Sequence, residues 1–324
     1  MKLQQLRYIR EIARSDLNIS QAAERLFTSQ PGISKQLRLL EEELGTPIFT
    51  RNGKHLQAIT PTGEAIIETA DEILTKVDQI ERIAAEARDQ EQGSLSIATT
   101  HTQSRYVLPA ILQGFMQRYP GVSLHLHQGS PMQISRMAAD GTADFAIATE
   151  ALEHFENLVM MPCFSWNRAI LVPRGHPLLE AESLTLELIN QYPLFTYVFG
   201  FTGRSRLDEA FQQAGLKPNV VVTAADADVI KTYVRAGMGI GIIASMAWEA
   251  ERDSDLEALD ASHLFSNSTT SIGFRQGSYL RRYMFDFIEA FAPHLSRSRV
   301  EQAQLCTSNS SREALFSKME IPGK

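Results

Sequence analysis

The spacing of apolar residues divides the chain before any single residue is weighed. Leu3, Leu6, Ile9, Ile12 and Ala13 recur with helical period and predict an amphipathic helix over residues 3–14. Asn18-Ile19-Ser20 offers caps for a short second helix from Gln21 to Leu26, and Phe27-Thr28-Ser29 makes the turn. Ser29 is placed to cap a third helix with Pro31 in its first turn. Ile33, Leu37, Leu40 and Leu44 mark the buried side of that helix, and Gln30, Ser34, Lys35 and Arg38 its opposite face. Past Gly45, the segment Ile48 to Ile59 carries Arg51, Asn52, Gly53, Lys54 and His55 between apolar ends, a hairpin or wing with a basic tip.

A different period begins at Thr60. Up to about Asp89, the residues Ile66, Ala70, Ile73, Val77, Ile80, Ala84 and Ala87 step alternately by four and three, the a/d spacing of a coiled-coil seam held for three heptads. Thr60 can cap this helix, Pro61 suits its first position, Glu64 meets the positive end of the dipole and Gly93 marks its stop. At 1.5 Å per residue such a helix is a rod of roughly 45 Å, able to pair two chains while holding apart the domains at its two ends. The alternative is an ordinary amphipathic helix packed on its own domain, and the three alanines weaken the seam.

From Ser94 short strands and helices alternate. Strands are expected at Leu95–Ala98, Val122–His127 and Phe145–Ala148, with helices from Val107 to Tyr119 and Pro131 to Asp140. A second set starts near Cys163, with strands at Ala169–Val172, Leu194–Thr196, Val220–Thr223, Ile240–Ile243 and Ser271–Phe274. Its helices cover Leu184–Asn190, Arg204–Ala214, Ala227–Ala236 and Tyr279–Phe291. This order predicts two α/β lobes with largely parallel sheets and a cleft between them, the chain crossing near 162 and returning near 268. The expected divisions are residues 1–59, a linker helix over 60–92, and a two-lobed domain over 93–294. Its lobe I comprises 93–162 and 269–294, and its lobe II 163–268. A polar, Ser-rich tail over 295–324 has a helix around Val300–Leu305 and no assigned role.

With 324 residues and 44% hydrophobic content, the chain can bury cores for two or three domains. It has no apolar run that could span a membrane and no secretory signal at its start, which implies a cytoplasmic protein. Cys163 and Cys306 are the two cysteines, far apart and without a CxxC, so neither a disulfide framework nor a zinc site is expected. The charge is unevenly placed: residues 1–60 hold nine Lys/Arg against six Asp/Glu, so +3 sits there and −10 in the remainder of a chain whose net charge is −7. An anionic polymer would therefore bind the first sixty residues.

Two short helices joined by a tight turn, the second exposing Gln, Ser, Lys and Arg, form a helix-turn-helix that places a recognition helix in the DNA major groove. Gln pairs bidentately with adenine, and Arg or Lys with guanine. Gln30, Ser34, Lys35 and Arg38 are the candidate base readers, flanked by Ser29 and Pro31, while Arg51 and Lys54 suit phosphates. Glu41, Glu42 and Glu43 would repel phosphate at the far end, so the N-terminal half should do the reading.

In the second half, Thr99-Thr100-His101-Thr102-Gln103 lies where a strand ends and a helix begins. Free backbone N–H groups favour an anion there, and hydroxyls and an amide add neutral donors. Thr149 and Thr202, at comparable strand ends, could converge on the same cleft. Each threonine could instead only cap its own helix. Enzyme readings find little support: there is no G-x-S-x-G, P-loop, G-x-G-x-x-G opening a helix or H-E-x-x-H. His125 and His127 share a strand face but have no acidic or cysteine partner in sequence. Gly237-Met238-Gly239-Ile240-Gly241 runs from helix to strand, the reverse of a phosphate loop, and Cys163 reads as a small buried side chain.

The order of these parts resembles a LysR-type transcriptional regulator over nearly the whole chain. Ser20-Gln21-Ala22-Ala23, Ser29-Gln30-Pro31, Ser34 and Leu40-Glu41 are similar to that family's DNA-binding signature. The segments 28–36, 98–103, 127–131, 144–150, 199–205 and 226–235 resemble the members that regulate cysteine biosynthesis and sulfur assimilation. The resemblance implies a winged helix-turn-helix, a dimerising linker helix and a two-lobed effector domain of the type 2 periplasmic-binding-protein fold, assembling as a homodimer or homotetramer on promoter DNA and working with RNA polymerase. It implies no cofactor, and a small anionic effector: N-acetylserine or the related O-acetylserine, opposed by sulfide or thiosulfate. A sulfate-like anion can occupy the family's cleft through positions matching Thr100, Thr102, Gln103, Thr149 and Thr202. The rival readings are a paralogous regulator of sulfonate or sulfate-starvation genes and a small-anion receptor without DNA activity.

Overall fold

In the computed structural model, residues 1–53, 55–88 and 91–324 are described, and they fall into two compact units. The first unit opens with α1 (Leu3–Arg14), α2 (Ile19–Arg25) and α3 (Gln30–Leu44). Asn18 caps α2 by accepting the Gln21 N–H, Ser29 caps α3 by accepting the Gly32 N–H, and Gly45 closes α3 in the left-handed region at φ +68°. The antiparallel pair β1 (Phe49–Asn52) and β2 (His55–Ile59) is the predicted wing. Leu6, Ile9, Ile12, Ala22, Ile33, Leu37, Leu40, Ile48 and Phe49 make one core beneath it.

The long helix α4 (Pro61–Arg88) comes next. Its cap is the one expected, Thr60 Oγ1 accepting the Gly63 N–H at 2.8 Å, while the Thr60 N–H donates to the Ile48 carbonyl at 2.9 Å. Gly63 matters for space: a Cβ there would meet the Ile48 carbonyl oxygen at 2.1 Å, so only glycine lets the first turn of α4 lie against the wing's entry. Two details of the seam change. Ala70 is buried together with Leu74 in the core of the first unit, with Ile66 and Ile67 packed beside them, so the start of α4 belongs to that core. The free stripe is Ile73, Ile80, Ile83 and Ala84, with Ile80 66% exposed. Asp89 and the side chain of Ala87 lie outside the described residues. Gly93 does not stop the helix but stands in β3, where a Cβ would meet Arg281 Nη1 at 2.6 Å and the Tyr283 hydroxyl at 2.7 Å.

The second unit holds two five-stranded sheets. Lobe I contains β3 (Gln92–Thr99), α5 (His101–Tyr106), α6 (Leu108–Arg118), β4 (Gly121–Gln128), α7 (Pro131–Ala139), β5 (Phe145–Ala148) and β6 (Leu158–Trp166). Lobe II contains β7 (Arg168–Pro173), α8 (Leu186–Ile189), β8 (Leu194–Tyr197), α9 (Arg204–Gln213), β9 (Val220–Ala224), α10 (Ala227–Arg235), β10 (Ile240–Ala244) and β11 (Leu256–Asp260). The chain then returns to lobe I as β12 (Ser268–Arg275), α11 (Arg282–Phe291), α12 (Arg297–Leu305) and α13 (Asn309–Phe316). The strand orders are β4-β3-β5-β12-β6 and β11-β7-β10-β8-β9.

Both sheets are more mixed than expected. β3 runs parallel to β4 and β5, and β8 to β9 and β10, but β12 is antiparallel to both of its neighbours and β7 to both of its own. β6 has no counterpart in the sequence reading because Pro162 interrupts its pattern. The strand tolerates that proline at a register shift, where Pro162 faces Ser271 and Phe164 faces Thr270. The crossings lie at Asn167 and in residues 261–267, not at 162. Asn167 Nδ2 donates to the carbonyls of Ser262 and Phe265 and to Asn267 Oδ1, so one side chain ties both crossings together.

The last thirty residues are no loose tail. Val300, Ala303 and Phe316 are buried in the lobe I core, and the Ser165 N–H donates to the Pro322 carbonyl along the outer edge of β6. Covering that edge removes an unpaired strand from solvent.

Candidate DNA-reading face and effector site

In the first unit, α3 turns its apolar side inward and leaves Gln30, Pro31, Lys35 and Arg38 exposed and Ser34 half-buried; Ser29 is exposed at the cap. Phe27, in the turn, is 97% exposed at φ +50°. Arg38 pairs with Glu42 one turn on at 2.7 Å, both exposed. Arg51 pairs with Glu41 at 2.8 Å. Glu41 does more than repel phosphate: its Oε1 accepts the N–H groups of Ile48 and Phe49 and so anchors the wing to α3. The exposed Arg38–Glu42 pair contributes only about 0–1 kcal/mol, so Arg38 can exchange its glutamate for DNA at small cost, whereas Glu41 is largely buried. Lys54 lies outside the described residues.

In the second unit, Thr100, Thr102 and Gln103 open α5 at the end of β3; Thr149 follows β5, and Thr202 sits in the turn before α9. Thr100 is the cap residue of α5 without a side-chain capping bond, so capping does not account for its hydroxyl. The Thr102 hydroxyl and Gln103 Oε1 are buried and have no hydrogen-bond partner of full geometry among the described residues, although Thr102 is near enough to the Tyr197 hydroxyl to influence its ionisation. Gln103 Nε2 donates to Thr270 Oγ1 at 3.3 Å, Trp166 Nε1 donates to the same oxygen at 3.1 Å, and Thr149 Oγ1 lies 3.4 Å from it. Thr270, fully buried on β12, therefore gathers three residues from three strand ends.

Lobe II reaches the same region through Arg168. Its guanidinium packs over the Trp166 ring, donates to the Gly203 carbonyl and lies 3.3 Å from Ser268 Oγ. Burial lowers its pKa to about 10, which leaves it charged at neutral pH. Thr202, next to Gly203, takes φ +47°, a strained backbone for a β-branched residue of the kind that clusters at ligand sites. Tyr197 is buried with its hydroxyl accepting the Ala244 N–H, and burial pushes its pKa up to about 12. The donors around the site are thus neutral hydroxyls and amides with one cation behind them.

At the rim, α5 grips the start of α10. Tyr106 donates to Asp228 Oδ1 at 2.7 Å, His101 Nε2 lies 3.5 Å from Asp228 Oδ2, and Arg105 pairs with Glu249 at 3.1 Å. Burial, reinforced by Asp228, pushes the Tyr106 pKa up, so the phenol keeps its proton. His101, Asp226 and Asp228 have ligand atoms within 4.8 Å of one another, the spacing of a metal site. Asp226 is already spent as the cap of α10, accepting the Val229 N–H, and Asp228 holds Tyr106. His127 bonds Ser96 Oγ at 3.1 Å on the sheet, and Cys163 is buried with its thiol pKa pushed up by that burial.

Thr270, Trp166, Arg168 and Tyr197 escape sequence reasoning. Trp166 lies on β6, whose pattern is broken by Pro162, and Thr270 near the start of β12, obscured by the hydroxyl run Ser268-Thr269-Thr270-Ser271. That run, entering an otherwise buried strand, is the signal that could have found Thr270.

The fold and its two faces define a DNA-binding regulator with a sensor domain, and the chain belongs to the LysR family of transcriptional regulators. Residues 3–64 match the bacterial regulatory helix-turn-helix protein, lysR family, and residues 88–296 match the LysR substrate binding domain. The chain is 54% identical over 324 residues, all of both proteins, to the HTH-type transcriptional regulator CysB of Haemophilus influenzae. It is 49% identical over 93% of its length and 97% of the relative to the HTH-type transcriptional regulator SsuR of Burkholderia cenocepacia. The crystal structure of the cofactor-binding domain of the Cbl transcriptional regulator is 42% identical with a TM-score of 0.64, covering 66% of this chain and 95% of that one. Members of this family are regulators, not enzymes. Among the described residues no helix is long and apolar enough to cross a membrane.

Proposed function

We propose that this protein is a cytoplasmic, sequence-specific regulator, mainly an activator, of genes for cysteine biosynthesis and sulfate assimilation. It responds to N-acetylserine or O-acetylserine, with sulfide or thiosulfate opposing. Gln30, Ser34 and Lys35 with Arg38 read bases beside Ser29 and Pro31, Arg51 and Lys54 hold phosphates, and the α4 stripe pairs two chains, two such dimers giving the tetramer. RNA polymerase is the further partner at the promoter. Thr100, Thr102, Gln103, Thr149 and Thr202 hold the effector, and ligand reaches DNA because it binds the protein's states unequally.

The observation that carries this reading is the buried cluster of hydroxyls and an amide around Thr270, with Thr102 and Gln103 keeping unused hydrogen-bonding capacity. Buried polar groups are normally satisfied, so capacity left over at strand ends is capacity for a ligand. Full-length similarity to the regulator named CysB supports the choice of regulon. The 49% identity to SsuR favours as a second reading a paralogous regulator of sulfonate or sulfate-starvation genes. Promoter binding measured with and without N-acetylserine tests the proposal. An affinity and DNA bend unmoved by saturating N-acetylserine would sink it.

A further inference from the structure

Lobe II supplies the proposed effector site with a single residue. Thr100, Thr102, Gln103 and Thr149 belong to lobe I, and Thr202 comes from the turn before α9. Thr202 is 7% exposed and takes φ +47°, between Gly200 at +79° and Gly203 at +71°. A β-branched residue stays in that region only where its surroundings impose it. Arg204 ties the turn within lobe II, its Nη1 donating to the Tyr197 carbonyl at 2.9 Å. Arg168 carries the tie across to lobe I. Its Nη2 donates to the Gly203 carbonyl and, at 3.3 Å, to Ser268 Oγ on the first residue of β12, and its Nη1 donates to the Ser266 carbonyl at 3.4 Å. The rings of Trp166 and Phe265 each lie 5.5 Å from Arg168 Cζ and orient the guanidinium, and the residue is 3% exposed. Gly203 records how close the approach is: a Cβ there would meet Ser268 Oγ at 2.6 Å and Arg168 Nη2 closer still.

We infer that Arg168 is a positioning residue for the effector: its guanidinium holds the Thr202 turn against the start of β12 and so fixes the reach of lobe II's one effector residue to the four of lobe I. The inference rests on the proposed effector reading. Arg168 acts through the backbone of Thr202, not by contact with the ligand. A lysine keeps the charge but replaces the planar fork by one ammonium, which cannot lie against two rings and bond Gly203, Ser266 and Ser268 together. The Gly203 carbonyl then loses its hold, Thr202 relaxes toward the negative φ that threonine prefers, and its hydroxyl leaves the site. The loss falls on sulfate and on N-acetylserine alike, because Thr202 stands among the residues proposed for both.

The test is a double-mutant cycle read by calorimetric titration of the full-length protein with N-acetylserine and, separately, with sulfate. Thr202→Ala should weaken both ligands by roughly tenfold, the worth of one hydrogen bond. Arg168→Lys should weaken them by about five- to tenfold, and the double variant should bind within about twofold of Thr202→Ala alone, because a residue that acts through Thr202 then has nothing left to position. Ser268→Ala removes one end of the hold and leaves Arg168 in place; it should cost about threefold with Thr202 present and nothing beside Thr202→Ala. It carries the test by itself if Arg168→Lys does not unfold cooperatively on heating. Losses that add in the double variants would mark Arg168 and Ser268 as general supports of the domain and overturn the inference, as would unchanged affinity in both single variants; either result leaves the effector reading standing. Unchanged affinity in Thr202→Ala removes Thr202 from the site and overturns the inference. Failure of both ligands to bind the native protein overturns the inference and the effector reading together.

Discussion

The two functional faces hold their polar groups in opposite ways. In the helix-turn-helix unit Gln30, Lys35 and Arg38 stand outside a small apolar core, and Arg38 is held by one exposed glutamate. In the two-lobed unit the polar groups are inside: Lys231 is paired with Asp253 at 2.6 Å with both side chains at 5% exposure or less, and Thr102, Gln103 and Thr270 are buried together. An exposed charge changes partner at little cost, which suits a surface that must slide along phosphates before it finds bases. A buried donor or acceptor accepts only the pattern it was built for. The reader is therefore adaptable, and the sensor selective.

The largest expected effect tests the buried half. Asp253→Ala leaves Lys231 charged and unpaired in the core of the second unit and should cost about 3–5 kcal/mol in denaturant unfolding. Removing Glu42 from its exposed pair with Arg38 should cost under about 1 kcal/mol. A loss at Asp253 no larger than that at Glu42 would erase the contrast. Although burial alone would raise it, hydrogen bonds from Lys231 and others hold the Asp253 pKa below its ordinary 3.8. A depressed carboxylate contributes stability above its unfolded pKa and loses it as pH falls through the folded one. The stabilisation from this pair should therefore be full at neutral pH, begin to decline near pH 3.8 and be lost as pH falls through the lower pKa of the folded state.

Next in size is the reader. Arg38→Ala should weaken promoter binding by about 1–3 kcal/mol and relax preference at one base position. Binding to scrambled DNA should change much less. If promoter affinity and preference were both untouched, Arg38 would be only the partner of Glu42. Thr102→Val removes one neutral donor in the sensor and should weaken N-acetylserine binding by about 1–3 kcal/mol, seen as a shifted titration with DNA binding intact in the absence of ligand. A superimposable titration would remove Thr102 from the site.

The parts of the molecule behind these predictions were unequally legible. Short-range signals read correctly: Asn18, Ser29 and Thr60 cap the helices they were assigned, because a cap is decided within three residues. The strand ends before Thr100 and Thr149, and the turn before α9 that carries Thr202, were legible for the same reason. What failed depends on long-range pairing. Pro162 hid β6, whose bulge exists only opposite β12, and with it Trp166 and the crossing at Asn167. Thr270 lies 167 residues from Gln103, and no local pattern links them. Gly93 was read as a helix stop when its reason is the approach of Arg281 and Tyr283, equally remote in sequence.

The smallest expected effect on folding concerns α4, where both kinds of surface meet on one helix. Its first turns are inside: Ala70 and Leu74 are buried with the reader's core. Its later apolar residues, Ile73, Ile80, Ile83 and Ala84, are exposed. A stripe of exposed apolar side chains at seam spacing suits a partner, and in the pairing proposed above a second α4 would supply one by the same spacing. Alanine at position 84 would keep that pairing modest. Ala84→Leu, on an exposed position, should alter folding stability by no more than about 0.5 kcal/mol. It should nevertheless lower the dimer dissociation constant in sedimentation, since leucine fills a seam position that alanine leaves shallow. If a loosely paired seam lets ligand state shift the two reading heads, the tighter variant should also blunt induction in a reporter assay. A tighter dimer with induction unchanged would confine α4 to holding two chains together.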